Sequence, residues 1–175
     1  LGAVSGPSFA SGSATAGASQ EVPTIHIKGT TEKSLHFVGP KTINEGEELR
    51  IVNESKVQTV GPQTFSLVEE SEVPKSKTQR ELCMKKGHIC KAIAGWHRIK
   101  GDGPAKVNPV DAGNEGWDTP GELKAKGDSW FTGSKPGASF VQPVNAGALI
   151  APVTLAYVSA FDPELHGTIK VLPLR

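Results

Sequence analysis

Cys83 and Cys90 are the only cysteines of the chain, and they bracket the run CMKKGHIC, which holds His88; His97 follows seven residues later. This pair has three possible chemistries: a disulfide, two buried thiols, or two metal ligands. Zinc usually takes a shorter Cys-Cys spacing and a matched second pair, so the disulfide is expected. Closing an eight-residue loop would stabilise the fold by about 2.5 kcal/mol on the chain-entropy estimate. Residues seven apart in an unbroken helix lie about 10 Å apart. A disulfide needs the Cα atoms within roughly 7 Å, so it requires a break at Gly87. His88 and His97 are expected to be surface or capping residues.

Ser159, Asp162 and a histidine supply the residue types of a hydrolytic triad. Three residues of separation leave no room for a histidine between Ser159 and Asp162, and the chain has no Gly-x-Ser-x-Gly elbow. The dinucleotide fingerprint, the phosphate loop and His-Glu-x-x-His are also missing. No catalytic residue is expected, and the chain is not read as an enzyme. Asn53-Glu54-Ser55 is a formal glycosylation sequon of a kind that also arises by chance.

Which elements must carry these residues follows from composition and pattern. The chain has 175 residues, enough for one domain or for a domain with a large insertion. Nineteen basic and eighteen acidic residues give a net charge of +1, so no global field recruits nucleic acid or an anionic membrane. No run of 18 apolar residues is present, and no membrane span is expected. Twenty glycines and thirteen prolines among short Val, Ile and Thr runs favour strands and turns, hence an all-β sandwich.

Residues 1–21 read as an N-terminal arm of small residues, uncharged before Glu21, with Leu1, Val4 and Phe9 as candidate partner contacts. Such a composition does not bury enough area to order itself alone. The alternation in VPTIHIKG puts Ile25 and Ile27 on one face and His26 and Lys28 on the other, as in a half-buried strand. SLHFVGPKTINEGEELRIVNES reads as strand, turn, short strand, turn at Glu45-Gly46, and a strand over 49–53. Residues 69–126 form an insertion. Its part from Ser76 to Lys100 has helical apolar spacing at Leu82, Ile89, Ile93 and Trp96, Ser76 or Thr78 can cap it, and Gly87 divides it in two. Residues 101–126 are loop-like and carry Trp117, which either anchors the loop to the body or meets a partner. β character returns from residue 127 to the end.

The stretch YVSAFDPELHGTIKV, Tyr157 to Val171, resembles the metal loop of the cupredoxins, the small blue-copper proteins. In that family a strand ends in Tyr-x-Cys, a short loop carries His and Met, and Gly-x-Ile-x-Val opens the closing strand. The resemblance extends upstream to the Pro-x-x-Ile and x-x-Gly-x-x-Ile/Leu-x-Val-x-Asn pattern and to PQTFSL, where the family has Pro-His-Thr-Phe-x-Leu. It covers roughly residues 35–68 and 127–172, with PGASFVQPV similar to the family's penultimate strand region, antiparallel to the last strands. It implies a cupredoxin-like Greek-key β-sandwich, here with a partly helical insertion.

The four positions that hold copper in the family are Gln63, Ser159, Asp162 and Leu165. A serine hydroxyl is no thiolate, leucine has no donor atom, and Gln63 offers a neutral amide. Calcium collects six to eight oxygens, for which one carboxylate is too few. His166 lies next to the closing strand and is expected to point away. The expectation is an inert polar cluster with Asp162 accepting from Ser159 or Gln63, and no metal or other cofactor. The function expected is that of a secreted, extracellular or periplasmic, non-catalytic structural or binding subunit, whose arm and insertion contact a protein partner or another copy. The alternative is a metal-binding or electron-transfer protein with non-standard ligands, for which copper would be the cofactor.

Overall fold

A computed structural model describes residues 21–99, 110–113, 116–133, 135–145 and 147–174. Two β-sheets face one another. The strands are β1 Thr24–Lys28, β2 His36–Val38, β3 Thr42–Asn44, β4 Glu48–Asn53, β5 Thr64–Val68, β6 Asp111–Ala112, β7 Ser129–Phe131, β8 Ser139–Pro143, β9 Val153–Val158 and β10 His166–Leu172. The first sheet has the order β2-β1-β4-β8 and the second β3-β10-β9-β5-β7-β6. β1 runs parallel to β4 and β3 parallel to β10, while the other pairings are antiparallel. The chain passes from sheet to sheet between β2, β3 and β4, so neighbours in sequence lie in opposite layers.

The alternation predicted for the first strands is what builds the sandwich. Ile25, Ile27, Leu49 and Ile51 point inward from the first sheet to meet Phe65, Leu67, Leu155, Tyr157 and Ile169 from the second. Aromatic rings fill the centre: Phe65 and Tyr157 lie 4.6 Å apart between centroids, and Trp117 meets Phe65 edge-on at 5.2 Å. Gly167 faces Tyr157 across β9 and β10. A Cβ there would stand 2.6 Å from the tyrosine hydroxyl, so only glycine lets the ring lie over the closing strand.

The second sheet is covered on its outer face as well, by the insertion. Helix α2, Lys77–Leu82, and helix α3, Ile89–Trp96, follow a single-turn helix α1, Val57–Val60. Val68, Ala156 and Val158 form a second apolar cluster with Cys83, Cys90, Ile89 and Ile93. This explains why β5 is buried at every position: its odd residues face the sandwich and its even ones face the insertion. The division at Gly87 is present, with φ of 88°, and the Cys83–Cys90 disulfide has a Cα separation of 5.0 Å. Ser76 caps α2: its hydroxyl accepts from the Gln79 amide while the Gln79 side chain accepts from the Ser76 amide.

Two expectations need correction. Residues 139–143 do not lie antiparallel to the last strands, because β8 pairs with β4 in the other sheet. The neighbour of β5 in that region is β7 instead. Trp117 is no surface contact either, being 1% exposed, with its backbone N–H donating to Pro143 at 2.9 Å. A large apolar ring on a loop reaches the core here because Phe65 and Phe140 leave a slot between the sheets. Leu1, Val4 and Phe9 lie outside the described residues. Among the described residues no helix is long and apolar enough to cross a membrane.

Candidate functional site

Gln63 and Ser159 come together at one end of the sandwich, 96 residues apart in sequence. The Ser159 hydroxyl donates to Gln63 Oε1 at 2.7 Å and accepts from the Thr64 amide at 3.2 Å. Gln63 Nε2 donates to the Val60 carbonyl at 3.2 Å, so the one-turn helix α1 supplies a partner that the sequence pattern does not reveal. The Gln63 backbone N–H donates to Thr132 Oγ1, which also accepts from Asn53 Nδ2. Both Gln63 and Ser159 are buried, and each polar group has a protein partner. Leu165 is buried beside them, its carbonyl accepting from the Ser159 amide at 2.8 Å.

Asp162 does not join this cluster. Its carboxylate accepts from the Glu164 amide at 3.1 Å and sits half-buried at the edge of a groove of about 300 Å³ lined by Glu32, Phe161 and Glu164. The reason is local: the Asp162 carbonyl closes a turn with the Leu165 amide, which turns the side chain along the loop and away from Ser159. His166 points outward, with Nδ1 3.1 Å from the Pro163 carbonyl oxygen, as expected.

The donor set does not fit a blue-copper centre. The amide oxygen of Gln63 and the hydroxyl of Ser159 are committed to each other, Asp162 faces elsewhere, and Leu165 contributes only carbon. Among the described residues no group of three or more His, Cys, Asp or Glu side chains is arranged to hold a metal ion.

The polar cluster continues under the insertion. Thr64 Oγ1 accepts from the Ala160 amide and from Ser66 Oγ; Ser66 lies 2.6 Å from Ser129 Oγ, and Ser129 lies 2.7 Å from His97 Nε2. If Ser66 donates to Thr64, Ser129 must donate to Ser66, and His97 must then carry its proton on Nε2. His97 caps the C-terminus of α3, its backbone N–H donating to the Ile93 carbonyl at 3.3 Å, as expected of a capping histidine, but it is fully buried and not at the surface. The cause is the hydroxyl row on the outer face of β5 and β7, which becomes interior once α3 lies over it and then needs a donor at its end. His88 does occupy the residue before the first turn of α3. Ser129 and His97 form a serine–histidine pair without any solvent-exposed surface. Asn53 of the sequon is fully buried and its Nδ2 is engaged with Thr132, so the folded chain does not present it for glycosylation.

Burial raises the pKa of the Asp162 carboxyl, and the like charges of Glu164 and Glu32 add to it against the Glu164 and Leu165 amides. The folded protein therefore keeps this proton to higher pH than the unfolded chain. The associated stability is present at low pH and is lost as pH rises through the raised value. D162N is expected to match the parent at about pH 3 and to exceed it in urea midpoint at about pH 7. A midpoint difference that does not change with pH would contradict this. Burial likewise pushes the Tyr157 phenol up to about 12.

No family model matches the chain, and no curated protein matches it in sequence. Among solved structures it is similar to auracyanin B, with 12% identity, a TM-score of 0.41, and coverage of 89% of this chain and 94% of the other. It is also similar to auracyanin A, a blue copper protein from the green thermophilic photosynthetic bacterium Chloroflexus aurantiacus. There the identity is 12%, the TM-score 0.39, and the coverage 85% of this chain and 97% of the other. Strand order and the two packed layers establish the fold as a β-sandwich with mixed sheets and a helical insertion.

Proposed function

We propose that this chain is a secreted, non-catalytic cupredoxin-like scaffold without a copper site, serving as a structural or binding subunit of an extracellular assembly. The observation that carries the reading is the Ser159–Gln63 hydrogen bond. Two positions that would hold copper in the resembling family are joined to each other, in a cluster whose polar groups have protein partners. A disulfide inside the insertion suits an oxidising compartment. With the Gln63–Ser159 end of the sandwich occupied by closed hydrogen bonds and the Leu165 side chain, binding falls to the surface, to the arm of residues 1–21 and the insertion of residues 69–126.

Copper added to the oxidised protein is expected to give no intense visible charge-transfer band and to wash out on dialysis. Stoichiometric retained copper by elemental analysis would overturn the reading in favour of a metal-binding protein. Removing residues 1–20 is expected to lower the mass of the assembled species in sedimentation. Equal masses with and without them would remove the arm as an assembly element.

A further inference from the structure

The chain's net charge of +1 conceals a division. From Lys75 to Ile99 there are seven basic residues and one acidic one, a local +6 that leaves −5 for the remainder. Lys75, Lys77 and Arg80 pair with Glu70, Glu81 and Glu164, whereas Lys85, Lys86 and Lys91 form no ion pair with any described residue. Lys85 and Lys86 sit in the disulfide-closed loop between α2 and α3, with Lys91 just beyond it. Leu82 and Met84 beside them are each 40% exposed. The loop backbone is held from within: the Lys85 amide donates to the Leu82 carbonyl at 2.7 Å and the Lys91 amide to the Cys83 carbonyl at 3.1 Å. A cationic tip with two apolar side chains is thus fixed before any partner arrives, which lowers the entropy lost on binding.

A surface of opposite character lies at the β3–β4 turn. Two depressions meet at Glu47: one of about 560 Å³ against Leu174, itself 69% exposed, and one of about 210 Å³ against Val22 and Pro23. Glu21 and Glu48 stand on the rim, and no ion pair joins them or Glu47 to any described residue. The tip belongs to the insertion that covers the outer face of the second sheet, and the acidic groove to the turn that joins the two sheets.

We propose that the Leu82–Lys91 tip of one copy docks into the Glu21–Glu47–Glu48 groove of a second copy. Lysines then oppose glutamates while Leu82 and Met84 cover Leu174, Val22 and Pro23. Because the two surfaces differ, the contact is head-to-tail and leaves a free tip and a free groove at the ends. Three lysines without arginine or aromatic residues suit carboxylates better than a nucleic acid, which would call for bidentate or stacking groups. The inference rests on the reading of the chain as an assembly subunit and names the contact.

Sedimentation of the full oxidised chain over a concentration series tests it. The parent is expected to associate with increasing concentration, and less so as salt is raised. K85E/K86E and E21K/E48K, each checked by circular dichroism for an unchanged fold, are each expected to self-associate about tenfold more weakly or worse. An equimolar mixture of the two is expected to regain association, because the unaltered tip of one variant meets the unaltered groove of the other and the reversed tip meets the reversed groove. K85A/K86A offers a milder second variant with a smaller loss. A parent that stays monomeric to its solubility limit, or a mixture no better than its components, overturns the proposal. Parent association that the reversals leave unchanged also overturns it, while leaving the assembly reading intact. Copper retention would sink that reading without touching this contact.

Discussion

Replacing Trp117 by alanine is expected to cost about 3–5 kcal/mol of stability, read as a fall in urea midpoint at constant m-value. The indole lies between Phe65 and Phe140, with centroids at 5.2 and 5.8 Å, and is 1% exposed, so truncation leaves a cavity bounded by rings that cannot collapse into it. Its Nε1–H has no hydrogen-bond partner among the described residues. That group is a cost in the parent, and W117F removes it while keeping most of the volume. The expected order is therefore parent and W117F close together, and W117A far below. A W117A protein within about 1 kcal/mol of the parent would mean that the loop swings away and solvates the site, contrary to the indole's place in the core.

Trp117 also marks where local sequence stops being readable. Its own neighbours are turn residues, and nothing local distinguishes a ring that anchors a loop from one that meets a partner. The slot it fills is made by Phe65 of β5 and Phe140 of β8, which lie 52 residues before it and 23 after it. Features with local causes are legible. Ile25 and Ile27 alternate with His26 and Lys28 and form β1 as expected; Ser76 caps α2; Gly87 with φ of 88° divides the helices and brings the cysteines together. The Tyr157–Val171 pattern is the β9–β10 hairpin, and Gly167 is there because of the Tyr157 ring across the ladder.

The candidate site is legible as positions and not as contacts. Gln63 and Ser159 meet as the pattern implies, but Asp162 does not, because a backbone turn to Leu165 decides where its side chain goes. His97 caps α3 as expected and departs only in its burial, for a different reason. A histidine after a helix is usually exposed. This one is buried because Ser66 and Ser129 form a polar row on a face that the strand pattern alone would leave to solvent. The residues do carry a signal: TFSLV puts small hydroxyls on the outer positions of β5, and DSWF does the same on β7. A row of that kind beneath a helical insertion calls for a donor from the insertion. Net charge misleads in the same way, since +1 averages a basic segment, residues 75–99 at +6, with a remainder at −5.

The disulfide is where fold, buried row and proposed contact meet, and C83A/C90A is the variant that probes all three. Opening an eight-residue loop is expected to cost about 2.5 kcal/mol on the chain-entropy estimate. Both sulfurs are buried in the cluster that ties α3 to Val68, Ala156 and Val158, so part of the loss is expected locally, as separation of the insertion from the second sheet. His97 leaves Ser129 when α3 lifts, and the hydroxyls of Ser66 and Thr64 are then open to water. Amide exchange is accordingly expected to quicken in α2, α3 and at Ala160, whose amide donates to Thr64 Oγ1. Exchange in β1 and β4 should follow only the global change, since the second cluster draws its described strand residues from β5 and β9. The tip that carries Lys85 and Lys86 loses its fixed shape in the same opening, so self-association should weaken even where the protein remains folded. Uniform acceleration of exchange across both sheets would show that the insertion does not separate on its own. Unchanged association in a folded C83A/C90A protein would show that a preformed tip is not what the contact requires.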